Sequence, residues 1–250
     1  MPPSRRITLP LLALLVVSGR AAANEEPTSG PSAGEILGEL REGNLRFAAD
    51  SAVHPRDRSD TRKLLEAGQH PKAIVLSCSD SRVAPELLFD EGLGDLFVVR
   101  TAGNVVDPIV LGSVEYAAEH LGAGVLVVLG HSRCGAVTAA VKGGHAHGHL
   151  PAILREIRPS VAALKGRVKP ERLVEAAIRE NARRMARALV ERSELLAKLV
   201  RQGKLTVVAG VYDLATGQVE LLPARAARAA ASQWSVEAAA TASASAPEAH

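Results

Sequence analysis

The sequence predicts an α/β fold, a mostly parallel central β-sheet flanked by helices and closed by a C-terminal β-hairpin. Three observations predict it. Continuous apolar runs recur at residues 73–76, 96–99 and 125–129, "AIVL", "LFVV" and "VLVVL". Unbroken runs are what strands buried on both faces require. Helical patterns separate them, and strand–helix–strand spacing of this kind builds right-handed parallel units. Near the end, "KLTVVAGVYDLATGQVELL" has the pattern of two strands joined by the turn "ATGQ".

The first residues, "MPPSRRITLPLLALLVVSGRAAANEE", carry a basic start, an apolar stretch over Ile7–Val17 and small residues at Ala21–Ala23. That layout predicts a secretory signal peptide over residues 1–23. The expected destination is periplasmic or secreted, by the Sec route or, from "SRRITL", by twin-arginine export. Arg5, Arg6 and Arg20 account for the whole excess of 30 basic over 27 acidic residues. The remainder is formally neutral, so charge gives no case for nucleic-acid binding. Hydrophobic residues make up 47% and aromatics only 2%, so the core must be aliphatic.

Residues 24–33 form a polar linker, and one domain is expected over 34–223. Ile36, Leu37, Leu40 and Phe47 recur at helical spacing in residues 35–49. "DTRKLLEAG" predicts a short helix capped by Asp60 and stopped by Gly68. "VDPIVLGSVEYAAEHLG" offers Asp107 as cap, Pro108 in the first turn and Gly122 as stop. Glu115 and Glu119 fall on it as surface charges. Another helix starts after Cys134. The loop "GGHAHGHLP" follows, and His145, His147 and His149 in it suit either metal capture or a solvated loop, with His149 opening the next helix. We favour the solvated loop. Residues 150–200 are helical with a break near "KGRVKP". From Ala224 to His250 the chain is an Ala/Ser-rich low-complexity tail.

The chemistry gathers around the two cysteines. Cys78 in "AIVLSCSDSR" follows the first apolar run; His131 and Cys134 in "VLVVLGHSRCGA" follow the third. In a parallel sheet these carboxyl ends lie on one side, where ligands bind. Export favours a Cys78–Cys134 disulfide on composition alone, and two inert core cysteines are a third reading. Both leave His131, Asp80 and Arg82 without a role. Two thiolates and an imidazole instead form a zinc set with room for a fourth ligand. Asp80 and Arg82 follow Cys78 at alternate positions, so an extended segment projects all three to one side.

"CSDSR" and "GHSRCGA", with "VVRTAGN" between them and "GVYDLATGQVELL" near the end, resemble the β-class carbonic anhydrases, of the exported bacterial type. The resemblance covers residues 35–222. It implies one Zn2+ per chain bound by Cys78, His131 and Cys134. It implies reversible hydration of carbon dioxide to bicarbonate and a proton by zinc-bound hydroxide. Asp80, held by Arg82, is the implied catalytic pair, and in a closed state Asp80 becomes the fourth zinc ligand. Gln69, Phe97, Ala102 and Tyr116 are the implied substrate-binding residues, with part of the pocket supplied by a second subunit. A homodimer or higher homo-oligomer is therefore expected, with no nucleic acid and no membrane after signal removal. Some bacterial members carry a regulatory tryptophan where this chain has Val75. A hydrolase of a CO2 analogue such as carbon disulfide, or a non-catalytic periplasmic zinc-binding protein, are the alternative functions. Storage of zinc needs neither Asp80 nor Arg82.

Overall fold

The computed structural model describes residues 30–222; the predicted signal peptide and the tail lie outside them. The first element, α1 (Ala33–Ala48), starts at a capping box. The Glu35 N–H donates to Ser32 Oγ, and the Glu35 carboxylate accepts from the Ser32 N–H. A short helix α2 (Ser59–Leu65) follows. Its cap is Arg58, and Asp60 lies inside the first turn.

Five strands make one sheet: β1 (Ala73–Ser77), β2 (Leu96–Arg100), β3 (Val125–His131), β4 (Thr206–Tyr212) and β5 (Val219–Leu222). Their order is β2-β1-β3-β4-β5, parallel except for the antiparallel β4–β5 pair. Between β1 and β2 the expected helical segment is a single turn, α3 (Pro85–Leu88). The helix α4 (Pro108–Glu119) is capped as expected, with the Val110 N–H donating to Asp107 Oδ1 at 2.8 Å. After β3 come α5 (Gly135–Lys142), α6 (Leu150–Ala162), α7 (Leu173–Arg192) and α8 (Glu194–Arg201). Ser193 ends α7 in an extended conformation and caps α8 through the Leu196 N–H. No helix among the described residues is long and apolar enough to cross a membrane.

Strand parity divides the core in two. Ile74, Leu76, Leu126 and Val128 face α4–α8, whereas Ala73, Val75, Val125 and Val127 face the α1 side. All eight are 0% exposed. Burying one such Leu or Ile side chain contributes about 1.5–3 kcal/mol, so these two strands anchor both layers. α7 packs over Gly130, where a Cβ would make ordinary contact with Ile178 and Ala182 at 3.4–3.5 Å.

One strand departs from expectation. β2 is only half-buried along Leu96–Val99, although its sequence is as apolar as that of β1. It lies at the sheet edge with one neighbour, so Leu96, Phe97 and Val99 pack against the two core layers yet stay only partly covered within the described chain.

Candidate metal centre

The parallel register builds the site. Ser77, the last residue of β1, lies opposite Leu129 of β3 and Arg100 of β2. Cys78 therefore emerges beside the end of β3, where His131 completes the strand. Cys78 also packs with the α4–α8 layer, as Ile74 and Leu76 do. The chain then turns at Arg133, which adopts φ +57°, and reaches Cys134 at the N-terminus of α5. The Ser132 N–H donates to the Tyr212 carbonyl at 2.8 Å, and Ser132 Oγ accepts from the Leu214 N–H at 2.9 Å. This ties the ligand-bearing turn to the β4–β5 hairpin.

The ligand atoms of Cys78, His131 and Cys134 lie within 4.8 Å of one another, and all three residues are buried. The two cysteines are free thiols rather than a disulfide. His131 Nδ1 is 3.0 Å from the Ser132 carbonyl. A carbonyl only accepts, so Nδ1 carries the proton and Nε2 presents a lone pair. Nε2 is buried and has no hydrogen-bond partner among the described residues. A buried acceptor left without a donor is costly, and a cation between the sulfurs satisfies it. Two sulfurs and one imidazole fit zinc.

The electrostatics agree. The Cys134 side chain, as hydrogen-bond partner, pulls the Cys78 thiol down to about 4, helped by His131 and by the Gly103 and Asp80 N–H groups against the cost of burial. Cys134 is pushed up, first by the neighbouring Cys78 and then by burial. The neighbouring sulfur and burial thus oppose a second thiolate in the pair. A second thiolate calls for a cation beside it.

Asp80 sits at the rim. Arg82 donates to both of its carboxylate oxygens at 2.9 Å and adds its backbone N–H at 3.0 Å. These Arg82 bonds hold the Asp80 carboxyl well below the usual carboxylate range. Asp80 Oδ2 is 3.8 Å from His131 Nε2. Asp80 stands outside the three-residue metal set.

Two further groups shape the loop and have no counterpart in the sequence reading. Arg100 donates to the Cys78 carbonyl at 3.1 Å and to the Asp80 carbonyl at 2.7 Å. Gly103, in the short turn Ala102–Asn104, donates its N–H to Cys78 Sγ at 3.2 Å. Its φ is +73°, and a Cβ there would lie 2.7 Å from Ile157 Cδ1 and 3.1 Å from Ala136 Cβ. Both reasons demand glycine. The "VVRTAGN" stretch pointed to this region but not to these bonds.

The expected substrate residues are dispersed in a single chain. Phe97 on β2 and Tyr116 on α4 form an aromatic pair, centroids 6.2 Å apart. Tyr116 is 48% exposed, so it is no helix-core residue. Ala102 precedes Gly103 and is half-buried. Gln69 is exposed between α2 and β1, with no hydrogen bond tying it to the cysteines. Val75 is fully buried on the α1 side. His145, His147 and His149 are exposed and form no metal-capable group. Glu115 is more than a surface charge, since it accepts from Ser193 Oγ at 2.5 Å.

Comparison with known proteins agrees with this geometry. The carbonic anhydrase family model matches residues 73–219. Carbonic anhydrase 2 of Mycobacterium tuberculosis is 41% identical over 186 residues, covering 73% of this chain and 89% of that protein. A carbonic anhydrase of Mycolicibacterium smegmatis is 41% identical over 199 residues, covering 78% and 95%. The solved Coccomyxa β-carbonic anhydrase, a complex with acetazolamide, aligns with a TM-score of 0.60 at 28% identity, covering 74% of this chain and 86% of that one.

A buried two-thiolate, one-imidazole set at the carboxyl ends of parallel strands defines a zinc metalloenzyme of the α/β class. The chain belongs to the β-carbonic anhydrase family. It is a zinc enzyme, and the enzyme is a carbonic anhydrase.

Proposed function

We propose that Cys78, His131 and Cys134 hold the zinc, and that Asp80 orients the nucleophile for hydration of carbon dioxide. The observation that carries this reading is the clamped Asp80 carboxylate 3.8 Å from the unpartnered Nε2 of His131. When bound, zinc supplies hydroxide near neutral pH by lowering the pKa of a coordinated water. The chain's own residues do the positioning. Ionised Asp80 can only accept, so a donor held between it and the three ligand atoms turns its hydrogen toward Oδ2. Its lone pair then faces the substrate. Arg82 engages both carboxylate oxygens and so restrains Asp80 from swinging into the metal. In the reaction one C–O bond forms, a carbonyl electron pair moves onto oxygen, and one proton leaves to solvent.

Carbon dioxide is neutral and linear, and suits a narrow apolar pocket with few donors. Ala102 stands beside the Gly103 turn that reaches Cys78, and Phe97 lies further back on the same strand, opposite Ile74. Tyr116 stacks beside Phe97. Gln69 completes this pocket as a donor across a homodimer. The half-buried β2 edge, together with Tyr116 at 48% and Ile109 at 78% exposure on α4, favours a second copy of the chain as partner. Export to the periplasm or beyond rests on the sequence of residues 1–23.

The test is stopped-flow hydration on purified protein with measured zinc. One zinc per chain and carbon dioxide hydration are expected. Zinc-replete protein that leaves carbon dioxide untouched but hydrolyses carbon disulfide would overturn the substrate.

A further inference from the structure

We infer that Asn181 is a positioning residue for the zinc ligand Cys78, acting through Gly103. Asn181 lies on α7 and is 0% exposed. Its Nδ2 donates to the Gly103 carbonyl at 2.9 Å. Its Oδ1 accepts from Ser160 Oγ, 0% exposed on α6, at 3.2 Å. The orientation of the amide is fixed by chemistry. A carbonyl only accepts, so the amide nitrogen must face Gly103, and the oxygen is left for the Ser160 hydroxyl.

Gly103 carries both ends of the relay on one residue. Its carbonyl is held by Asn181 and its N–H is spent on Cys78 Sγ. Holding the carbonyl fixes the plane that follows the Gly103 Cα. The position also takes no side chain, since an added Cβ would lie 2.7 Å from Ile157 Cδ1 and 3.1 Å from Ala136 Cβ. The aim of the N–H at sulfur is therefore set jointly by α7, through Asn181, and by the backbone bonds that tie Thr101 to Ser77 and Ser79 on either side of Cys78.

An N–H directed at a thiolate withdraws charge from sulfur. A ligand so restrained donates less to the metal, which keeps the ion a stronger Lewis acid. A purely structural Asn181 would hold helices together and leave the metal's electronic state alone. The relay rests on the assignment of Cys78 as a ligand, and the same experiment tests that assignment separately.

Cobalt(II) replaces zinc in the full-length wild type, in Asn181→Ala and in Ser160→Ala. The thiolate-to-cobalt charge-transfer band is recorded, and zinc retention is measured against a chelator. In Asn181→Ala the band should move to lower energy, and zinc affinity should fall by about 10–100-fold. Ser160→Ala, a smaller excision, should move both in the same direction by less, and it tests the relay should Asn181→Ala fail to fold. Variants that melt earlier but keep the wild-type band and zinc affinity would overturn the inference. Wild type that takes up cobalt with no thiolate band would overturn the ligand assignment itself.

Discussion

Arg82 grips Asp80 from two residues along the same loop, with two side-chain bonds of 2.9 Å and a backbone bond of 3.0 Å. Exposed ion pairs of this kind contribute little to stability. Under the proposed function, its worth lies in keeping one carboxylate in one orientation beside Cys78, His131 and Cys134.

Asp80→Asn should therefore keep zinc and the fold but lose hydration activity by about 10²–10³-fold, the range for losing one preorganised hydrogen bond. Metal analysis and stopped-flow rates on one preparation decide it. A zinc-replete variant with wild-type turnover would reduce the pair to a structural contact.

Removing Arg82 should change the pH profile rather than the metal content. The guanidinium depresses the Asp80 pKa, so the charged acceptor survives as pH falls through the ordinary carboxyl range, about 3.9. In Arg82→Ala the carboxyl takes its proton at higher pH, and the acid limb of the rate profile should move up. The same sign governs folding. Asp80 contributes stability above its unfolded pKa and loses that contribution as pH falls toward the folded value. An unshifted acid limb would separate Asp80 from the activity.

Cys134→Ser should abolish zinc retention and activity together. A hydroxyl is a far poorer ligand than a thiolate, and the residue is 2% exposed with no alternative donor in the metal set. Dialysis followed by metal analysis is the check, with one zinc expected in wild type and none in the variant.

Gly103→Ala should lower stability by about 2 kcal/mol, combining a left-handed backbone with overpacking against Ile157. Denaturant unfolding measures it. Wild-type stability would mean that the turn relaxes more readily than its surroundings suggest.

The candidate ligands Cys78, His131 and Cys134 stood out in the sequence because they fall at or shortly beyond the ends of two apolar strands, and the parallel pairing of β1 with β3 places those ends together. Asp80 and Arg82 were legible through their alternation with Cys78. Gly103 and Asn181 were not. Their bond joins residues 78 positions apart, and nothing local marks a buried asparagine on a helix as the anchor of a distant turn. The half-burial of β2 escaped because periodicity reports apolarity and not neighbours. Asp60 looked like a cap because its residue type suits one, but the helix begins one residue earlier, at Ser59.

The pairing of β1 with β3 also sets an order of events during folding. Cys78 and Cys134 are separated in sequence by β2 and α4, and their strands meet only after that crossover has closed. Parallel pairing of this kind is a slow step, because loop entropy is lost before contacts repay it. The complete ligand set is thus a property of the closed sheet rather than of any one segment, and a metal held by all three residues would add its binding free energy to the folded state.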